Sequence, residues 1–160
     1  NTRCTPLQLA NYVATLANGG KHYPVHLLKT VKTNDFSQVV EEYEPEPLDT
    51  IDIAPENLSA VLEGMRQVAS GDGTAAKYFA DLNVSVGAKT GTAQVASTSE
   101  ANAVFVCFAP YEDPEVAIAI VAEKGGGGTE LAAVAADILS YYFNAEDTIE
   151  AISTENTLLR

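Results

Sequence analysis

The chain has 160 residues, of which 46% are hydrophobic, and 9 Lys and Arg residues stand against 22 Asp and Glu residues, for a formal net charge of −13. This length and apolar content predict one domain, or a large part of one, folded around a hydrophobic core. The acidic surface repels phosphate backbones and anionic headgroups, which argues against nucleic acid as a partner. No stretch approaches the roughly 20 apolar residues of a membrane-spanning helix. The first residues resemble neither a start nor a targeting signal, so we expect a piece of a longer protein.

The first predicted element is a helix after Thr5. Thr5 is placed to act as the N-cap, Pro6 takes the first helical position, and Gln8 can reach back to the backbone N–H of the cap. The run Asn18-Gly19-Gly20 is predicted to end this helix. Beyond it, β-prone residues 26–31 and 37–43 flank turn residues at 33–35 and predict a hairpin, which an acidic, Pro-rich connector follows.

A second helix is predicted to begin at Pro55. Its apolar residues form one continuous stripe, which consists of Leu58, Val61, Leu62, Met65 and Val68. Residues 70–74 break this pattern, and Thr74 is predicted to cap a short third helix that runs through Phe79.

Three strands are predicted next, over residues 86–95, 103–109 and 116–122. The second and third strands are apolar at nearly every position, which predicts that both of their faces are covered and that they lie in the middle of a sheet. A flexible loop over residues 125–128 leads to a final amphipathic helix from Leu131 to about Phe143. Residues 144–160 are acidic and weakly patterned, and we interpret them as a tail.

The first of these strands holds the one segment that combines a cation, hydroxyl groups and a glycine. Since a strand alternates faces, Thr90, Thr92 and Gln94 should point one way and Lys89 and Gly91 the other. At a sheet edge, free N–H groups of such a strand can bind an extended peptide or donate to an oxyanion, and Lys89 with the two hydroxyls suits a carboxylate. A plain polar edge strand explains the same residues, and a Lys-Thr-Gly triplet alone is a weak signal.

Other candidate residues favour structural roles. His22 and His26 are separated by a proline and have no carboxylate close in sequence, so neither a metal ion nor a general base is predicted there. Glu112, Asp113 and Glu115 flank a turn and are expected to lie in solvent. Two cysteines, Cys4 and Cys107, are too few for a disulfide framework or a thiolate metal site. The sequence predicts no cofactor and no metal.

An ordered set of segments nevertheless resembles the class B penicillin-binding proteins. The members are Thr5–Ala10 with Ala17-Asn18-Gly19-Gly20-Lys21, Gly64-Met65 with Gly73-Thr74-Ala75, Ala88–Gln94, and Phe105–Pro110. Lys-Thr-Gly is a signature of these proteins and of β-lactamases. The resemblance covers about residues 1–143 and implies a mixed α/β (α+β) fold, an antiparallel sheet flanked by helices that forms the C-terminal portion of a transpeptidase domain.

The resemblance also implies a function for the parent protein. It would be a serine peptidoglycan D,D-transpeptidase on the outer face of the bacterial cell membrane, anchored by a segment outside this chain, with stem peptides ending in D-Ala-D-Ala and β-lactams as its ligands. By resemblance, Lys89 sustains the electrostatics and proton relay of the site. Thr90 and Thr92 hold the terminal carboxylate, the Thr92 backbone N–H is an oxyanion donor, Gly91 permits close approach, and Gln94 lines the strand beyond.

Two departures from the family pattern bear on activity. None of the eight serines has a Lys three residues on, and none begins a Ser-x-Asn triplet; they are Ser37, Ser59, Ser70, Ser85, Ser97, Ser99, Ser140 and Ser153. The resemblance places both motifs in the N-terminal half of the domain, so this chain has no nucleophile and should be inactive alone. Two alternatives stay open: a non-catalytic sensor or scaffold that binds peptide or β-lactam, and a β-lactamase-like hydrolase.

Two further expectations concern packing and assembly. Cys107 stands where the family usually has Gly, and we expect a small buried residue rather than a reactive thiol. The family pairs the strand at residues 116–122 on one side with a strand from the N-terminal half. Without that half the strand has an open apolar edge, which predicts either self-association through it or stability only with the rest of the domain.

Overall fold

The structure, a computed structural model, describes residues 3–94 and 100–155, with side chains described as far as residue 144. Helix α1, Pro6–Ala17, begins with the predicted capping box. The Gln8 backbone N–H donates to Thr5 Oγ1 over 3.2 Å, and the Thr5 N–H donates to Gln8 Oε1 over 2.8 Å. Asn18 is the C-cap, which confirms the predicted end of this helix.

Two short antiparallel pairs follow α1. Strand β1, Lys21–His22, pairs with β4, Asp49–Thr50, and was not predicted because two residues are too few for an alternating pattern. Strands β2, Thr30–Lys32, and β3, Val39–Glu42, form the predicted hairpin. In its turn, hydrogen bonds from the Thr33 and Ser37 side chains lower the pKa of Asp35 to about 2.

Helix α2, Pro55–Ala69, confirms the second predicted helix, and α3, Ala76–Phe79, confirms the third. The predicted cap of α3 is wrong, because Ala75 and not Thr74 is the N-cap, and no side chain caps this helix. Backbone groups close the turn instead: the Ala75 N–H donates to the Val68 carbonyl over 2.9 Å, and the Ala76 N–H donates to the Gly73 carbonyl over 3.1 Å. These N–H groups already have backbone acceptors, so they do not need the Thr74 hydroxyl as a capping acceptor.

The three predicted strands form one antiparallel sheet in the order β5-β6-β7. Their bounds are Gly87–Ala93 for β5, Asn102–Ala109 for β6 and Val116–Ala122 for β7. Residue 95, the predicted end of the first strand, lies outside the described residues. The central strand β6 is nearly all buried, as predicted. Within the described part of the chain β7 is an edge strand with half-buried residues. The place in the middle of a sheet that its apolar pattern predicted is therefore wrong for this chain, and the open edge expected without the N-terminal half is confirmed.

Side chains of β6 divide between two cores. Phe105 and Cys107 pack with Leu139 and other residues of the last helix on one face of the sheet. Phe108 and Val106 pack with Val13 of α1 on the other face. The sheet therefore lies between helices on both sides, which confirms the predicted antiparallel sheet flanked by helices.

The last helix, α4, runs over Leu131–Glu155. Its predicted end near Phe143 is wrong, because residues 144–155 contain no Gly or Pro that would stop the helix. The division into a domain over residues 1–143 and a tail over 144–160 stays a prediction. Among the residues that the structure describes, no helix has both the length and the apolar character to cross a membrane.

Candidate functional site

Strand β5 pairs with β6 on one side, and its other edge has no partner strand among residues 3–94 and 100–155. Lys89, Thr90, Gly91 and Thr92 all lie within this strand, and Gln94 follows one residue after its end. The sequence made peptide binding by this segment depend on an edge position, and the structure meets that condition. Backbone groups along the open edge are available to a ligand.

The register of the sheet assigns these side chains to two faces. Lys89 pairs with Val106 and Gly91 with Val104, so both lie on the face that α1 and α2 cover. Thr90 pairs with Phe105, on the face that packs against α4. This arrangement confirms the predicted alternation and places the cation and the hydroxyls on opposite sides of one edge strand.

Lys89 lies at a groove of about 520 Å³ between α1 and α2. Its Nζ donates to the Thr90 carbonyl over 2.6 Å, and within the described chain it forms no ion pair. The groove is otherwise apolar, and two large side chains at it, Tyr12 and Val61, are 57% and 49% exposed. A cation beside an open apolar groove is thus left without an anionic partner in the described residues.

Gly91 lines this groove and has no side chain that would project into it. A Cβ atom on Gly91 would lie 3.3 Å from Val104 Cβ, closer than side chains normally pack. The absence of a side chain therefore allows another group to approach the β5 backbone from the groove. Thr92 and Gln94 are exposed and Thr90 is half-buried, so the hydroxyls sit at the surface of the same edge.

Cys107 is confirmed as a buried structural residue. It is fully buried in the core between β6 and α4. Burial raises the pKa of its thiol to about 12, so the thiolate that would act as a nucleophile is not populated at neutral pH.

The remaining candidates have local roles. The β1–β4 pair brings Asp49, distant in sequence, within 3.2 Å of His22 Nδ1 at the surface. No group of three or more His, Cys, Asp or Glu residues in the described ranges could hold a metal ion. Glu112 is exposed, as expected, but it also accepts a hydrogen bond from the Ser85 hydroxyl, which lowers the pKa of its carboxyl group.

Sequence reasoning missed the groove and the close packing of Gly128 against the sheet. Gly128 is buried against the β5–β6 pair. The groove arises from the packing of two helices that lie 38 residues apart in sequence, since α1 ends at Ala17 and α2 begins at Pro55. The glycine run at residues 125–128 was interpreted only as a flexible loop, although such a run also signals close approach of backbones.

The comparisons with known proteins agree with this geometry. A family model described as the penicillin-binding protein transpeptidase domain matches residues 2–140. The chain is 35% identical over 159 residues to the peptidoglycan D,D-transpeptidase MrdA of Haemophilus influenzae, which covers 88% of this chain and 24% of MrdA. The chain belongs to the penicillin-binding protein transpeptidase family, and it spans about a quarter of the length of this relative.

Solved structures give the same result. Penicillin-binding protein 2 of Pseudomonas aeruginosa superimposes with a TM-score of 0.71 at 36% identity, over 87% of this chain and 30% of that one. Penicillin-binding protein A of Mycobacterium tuberculosis, solved as an imipenem acyl-enzyme complex, gives a TM-score of 0.64 at 26% identity, over 84% of this chain and 31% of that one. The mixed α/β fold is therefore the fold of these domains.

Proposed function

We propose that this chain supplies the substrate-binding strand of a peptidoglycan D,D-transpeptidase that cross-links stem peptides ending in D-Ala-D-Ala and is acylated by β-lactams. The observation that carries the proposal is the open edge of β5, which holds Lys89, Thr90, Gly91 and Thr92 and borders an open groove at Lys89 and Gly91. The name of the relative MrdA and the imipenem acyl-enzyme of the mycobacterial protein support the same chemistry.

The proposed ligand lies as an extended peptide along the open edge of β5. The Thr90 and Thr92 hydroxyls donate to its terminal carboxylate, since charge-assisted hydrogen bonds are the stronger kind. The Thr92 backbone N–H donates to the oxygen that becomes negative when the carbonyl carbon is attacked. Gln94 extends the contact beyond the strand.

Lys89 supplies the positive charge of the proposed site. On the groove face of β5 it lies beside the space where a nucleophile can approach the carbonyl. In the reaction a serine oxygen bonds to the carbonyl carbon of the penultimate D-Ala and loses its proton. The peptide C–N bond then breaks, and the terminal D-Ala leaves as a protonated amine. Lys89 stabilises the charges that move during this step and assists the proton transfer.

The nucleophile comes from outside residues 1–160, because this sequence holds no Ser-x-x-Lys. We propose that the apolar groove between α1 and α2 receives the other half of the transpeptidase domain, which carries that serine. The exposed Tyr12 and Val61 side chains support this, because covering them removes apolar surface from water. Lys89 lines the same groove, so the covering segment would bring its serine close to the Lys89 ammonium group. By the same reasoning the open edge of β7 receives a further strand, and a second copy of the chain takes that place when the other half is missing.

We place the whole protein on the outer side of the bacterial cell membrane, where its proposed peptidoglycan substrate is found. The chain itself contributes the part of the site that contains Lys89 to that assembly.

The test uses the protein in which this chain is joined to the remainder of the domain. It should release D-Ala from a stem-peptide analogue ending in D-Ala-D-Ala, and benzylpenicillin should block that release. Lys89→Ala should slow release on the order of 10³-fold, whereas Lys32→Ala, which removes an equivalent charge on strand β2 of the hairpin, should leave it unchanged. Release that is unaffected by penicillin or by Lys89→Ala would overturn the proposal.

A further inference from the structure

Resting on the function proposed above, we infer that Gly128 is a positioning residue that holds the β5 edge where the substrate binds. It belongs to residues 124–130, here called the strap, which lie between β7 and α4. The strap crosses the sheet at the point where Gly91 of β5 pairs with Val104 of β6.

The contact between Gly128 and the sheet leaves no room for a side chain. A Cβ atom on Gly128 would lie 2.1 Å from the Val104 carbonyl oxygen and 2.5 and 2.9 Å from the Gly91 carbonyl oxygen and nitrogen. These are backbone atoms of two paired strands, so no rotamer change can relieve the overlap. A methyl group at position 128 must displace either the strap or the strands.

The strap is fixed at both ends, which decides between those two outcomes. At its start, the Lys124 N–H donates to Asn102 Oδ1 and the Gly126 N–H donates to the Ala101 carbonyl, each over 3.0 Å. At its end, the Tyr78 hydroxyl donates to Glu130 Oε2 over 2.6 Å. Because the strap is tied down on both sides of Gly128, part of the displacement falls on β5, which has only one strand neighbour.

A shift of β5 at Gly91 moves the groups on either side of it. Thr90 and Thr92 are the proposed carboxylate ligands, and the Thr92 N–H is the proposed oxyanion donor. Catalytic geometry tolerates little error, since a misplacement of about 1 Å can cost about 100-fold in rate. Gly128 therefore acts on the reaction through the strand without touching the substrate.

The experiment measures acylation by a fluorescent penicillin in the protein that contains the complete domain. Gly128→Ala should slow acylation about 100-fold, as expected for a misplaced catalytic group. Gly127→Ala is the matched control, because among the described residues no atom outside residues 126–128 lies within 4 Å of its added Cβ, and its φ of −89° suits any residue. Its acylation rate should equal that of the unmodified protein.

Gly125→Ala separates positioning from general loss of packing. The three atoms nearest its Cβ would be the Ala122 and Ala103 Cβ atoms at 2.9 and 3.0 Å and the Ala122 carbonyl oxygen at 3.1 Å, and none of them belongs to Gly91. This variant should melt at a lower temperature and still be acylated at close to the unmodified rate. If Gly125→Ala and Gly128→Ala slow acylation equally, Gly128 has only a structural role and the inference is wrong.

A double-mutant cycle with Thr90→Val gives a second readout. When Gly128→Ala has already misplaced the Thr90 hydroxyl, removing that hydroxyl should cost less than it does in the unmodified protein. Additive effects would overturn the inference. If Gly128→Ala does not fold, Tyr78→Phe releases the end of the strap without a clash and should slow acylation severalfold; an unchanged rate then overturns the inference.

These outcomes are distinct from failure of the proposed function. An unmodified protein that penicillin does not acylate would overturn the proposed function. Acylation of the unmodified protein and of Gly128→Ala at equal rates would overturn only the role of Gly128.

Discussion

Lys89 and Thr92 belong to one edge strand but serve different kinds of interaction. Lys89 contributes a full charge next to a groove that the rest of the domain is proposed to cover, where low dielectric strengthens electrostatic interactions. Thr92 contributes a hydroxyl at an exposed position and a backbone N–H that no side-chain substitution removes. The two residues should therefore respond very differently to substitution.

In the complete domain, Lys89→Ala should slow acylation by penicillin on the order of 10³-fold, the range seen when a preorganised electrostatic contact is removed. Thr92→Val keeps the backbone N–H and loses one charge-assisted hydrogen bond, worth about 1.5 kcal/mol, so its rate should fall only about tenfold. Stopped-flow acylation rates of both variants give the comparison. A larger loss for Thr92→Val than for Lys89→Ala would reverse the roles assigned here.

The two cysteines should differ sharply in reactivity. Cys4 is exposed, whereas burial raises the pKa of the Cys107 thiol to about 12. At pH 8 iodoacetamide should alkylate Cys4 in the folded protein and reach Cys107 only after denaturant is added, as mass spectrometry of peptides can show. Alkylation of Cys107 at the rate of Cys4 in the folded protein would show that the β6–α4 core is open.

At the scale of elements, the turn between β6 and β7 is tied to the residues that precede β5. The Tyr111 N–H donates to Ser85 Oγ and to the Ser85 carbonyl, each over 3.0 Å, and the Ser85 hydroxyl donates to Glu112. The Arg66 guanidinium lies 5.6 Å from the centre of the Tyr111 ring, which links α2 to the same turn. This cluster fixes the segment that leads into β5.

The hydrogen bond from Ser85 lowers the pKa of Glu112 below its ordinary value. A carboxyl group with a depressed pKa in the folded state stabilises that state above the unfolded pKa, and this contribution is lost as the pH falls through the folded pKa. Ser85→Ala should therefore return the Glu112 pKa towards its ordinary value and weaken the acid dependence of the melting temperature.

An NMR titration of the Glu112 carboxyl group in the unmodified protein and in Ser85→Ala measures this effect. Glu112→Gln serves as the control, because it removes the titrating group but keeps an acceptor for Ser85. Identical Glu112 titration curves with and without the Ser85 hydroxyl would show that another contact sets this pKa.

The elements that the sequence predicted correctly are those with local signals. Thr5, Pro6 and Gln8 lie within four residues and define the start of α1, and the apolar stripe of α2 repeats within one helix. The strand that holds Lys89, Thr90 and Gly91 could be predicted because these residues are consecutive, but its edge position was only a condition until the sheet order was known. Local patterns of this kind need no knowledge of the rest of the chain.

The features that were missed depend on residues far apart in sequence. Tyr78 and Glu130 are 52 residues apart and meet only because α3 lies beside the strap. Asp49 reaches His22 through the β1–β4 register, and Gly128 reaches Gly91 across the sheet. The wrong end of α4 has a different cause, since polar residues alone do not stop a helix when no Gly or Pro follows.

At the scale of the whole molecule, the described chain leaves two apolar surfaces open in addition to the β5 edge. One is the groove between α1 and α2, and the other is the outer edge of β7, where Val121 is 39% exposed. An apolar strand with a free edge is a template for pairing with another strand. In the proposed assembly, a further segment of the same domain covers both surfaces.

For residues 1–160 alone, light scattering should therefore detect self-association, and the amides of Val116–Ala122 should exchange quickly whenever the chain is monomeric. Joined to the remainder of the domain, the same amides should be strongly protected. A stable monomer of the isolated chain with all of these amides protected would show that the β7 edge is satisfied internally, contrary to this assignment.

The most direct test of the central claim is to treat two proteins, residues 1–160 alone and the same residues within the complete domain, with a labelled penicillin and to map the adduct by mass spectrometry. An acyl-enzyme needs an activated nucleophile, and no serine of this chain has the lysine that would activate it. We predict a stoichiometric adduct only in the complete domain, on a serine outside residues 1–160. An adduct on any serine within this chain, or none in the complete domain, would contradict the account.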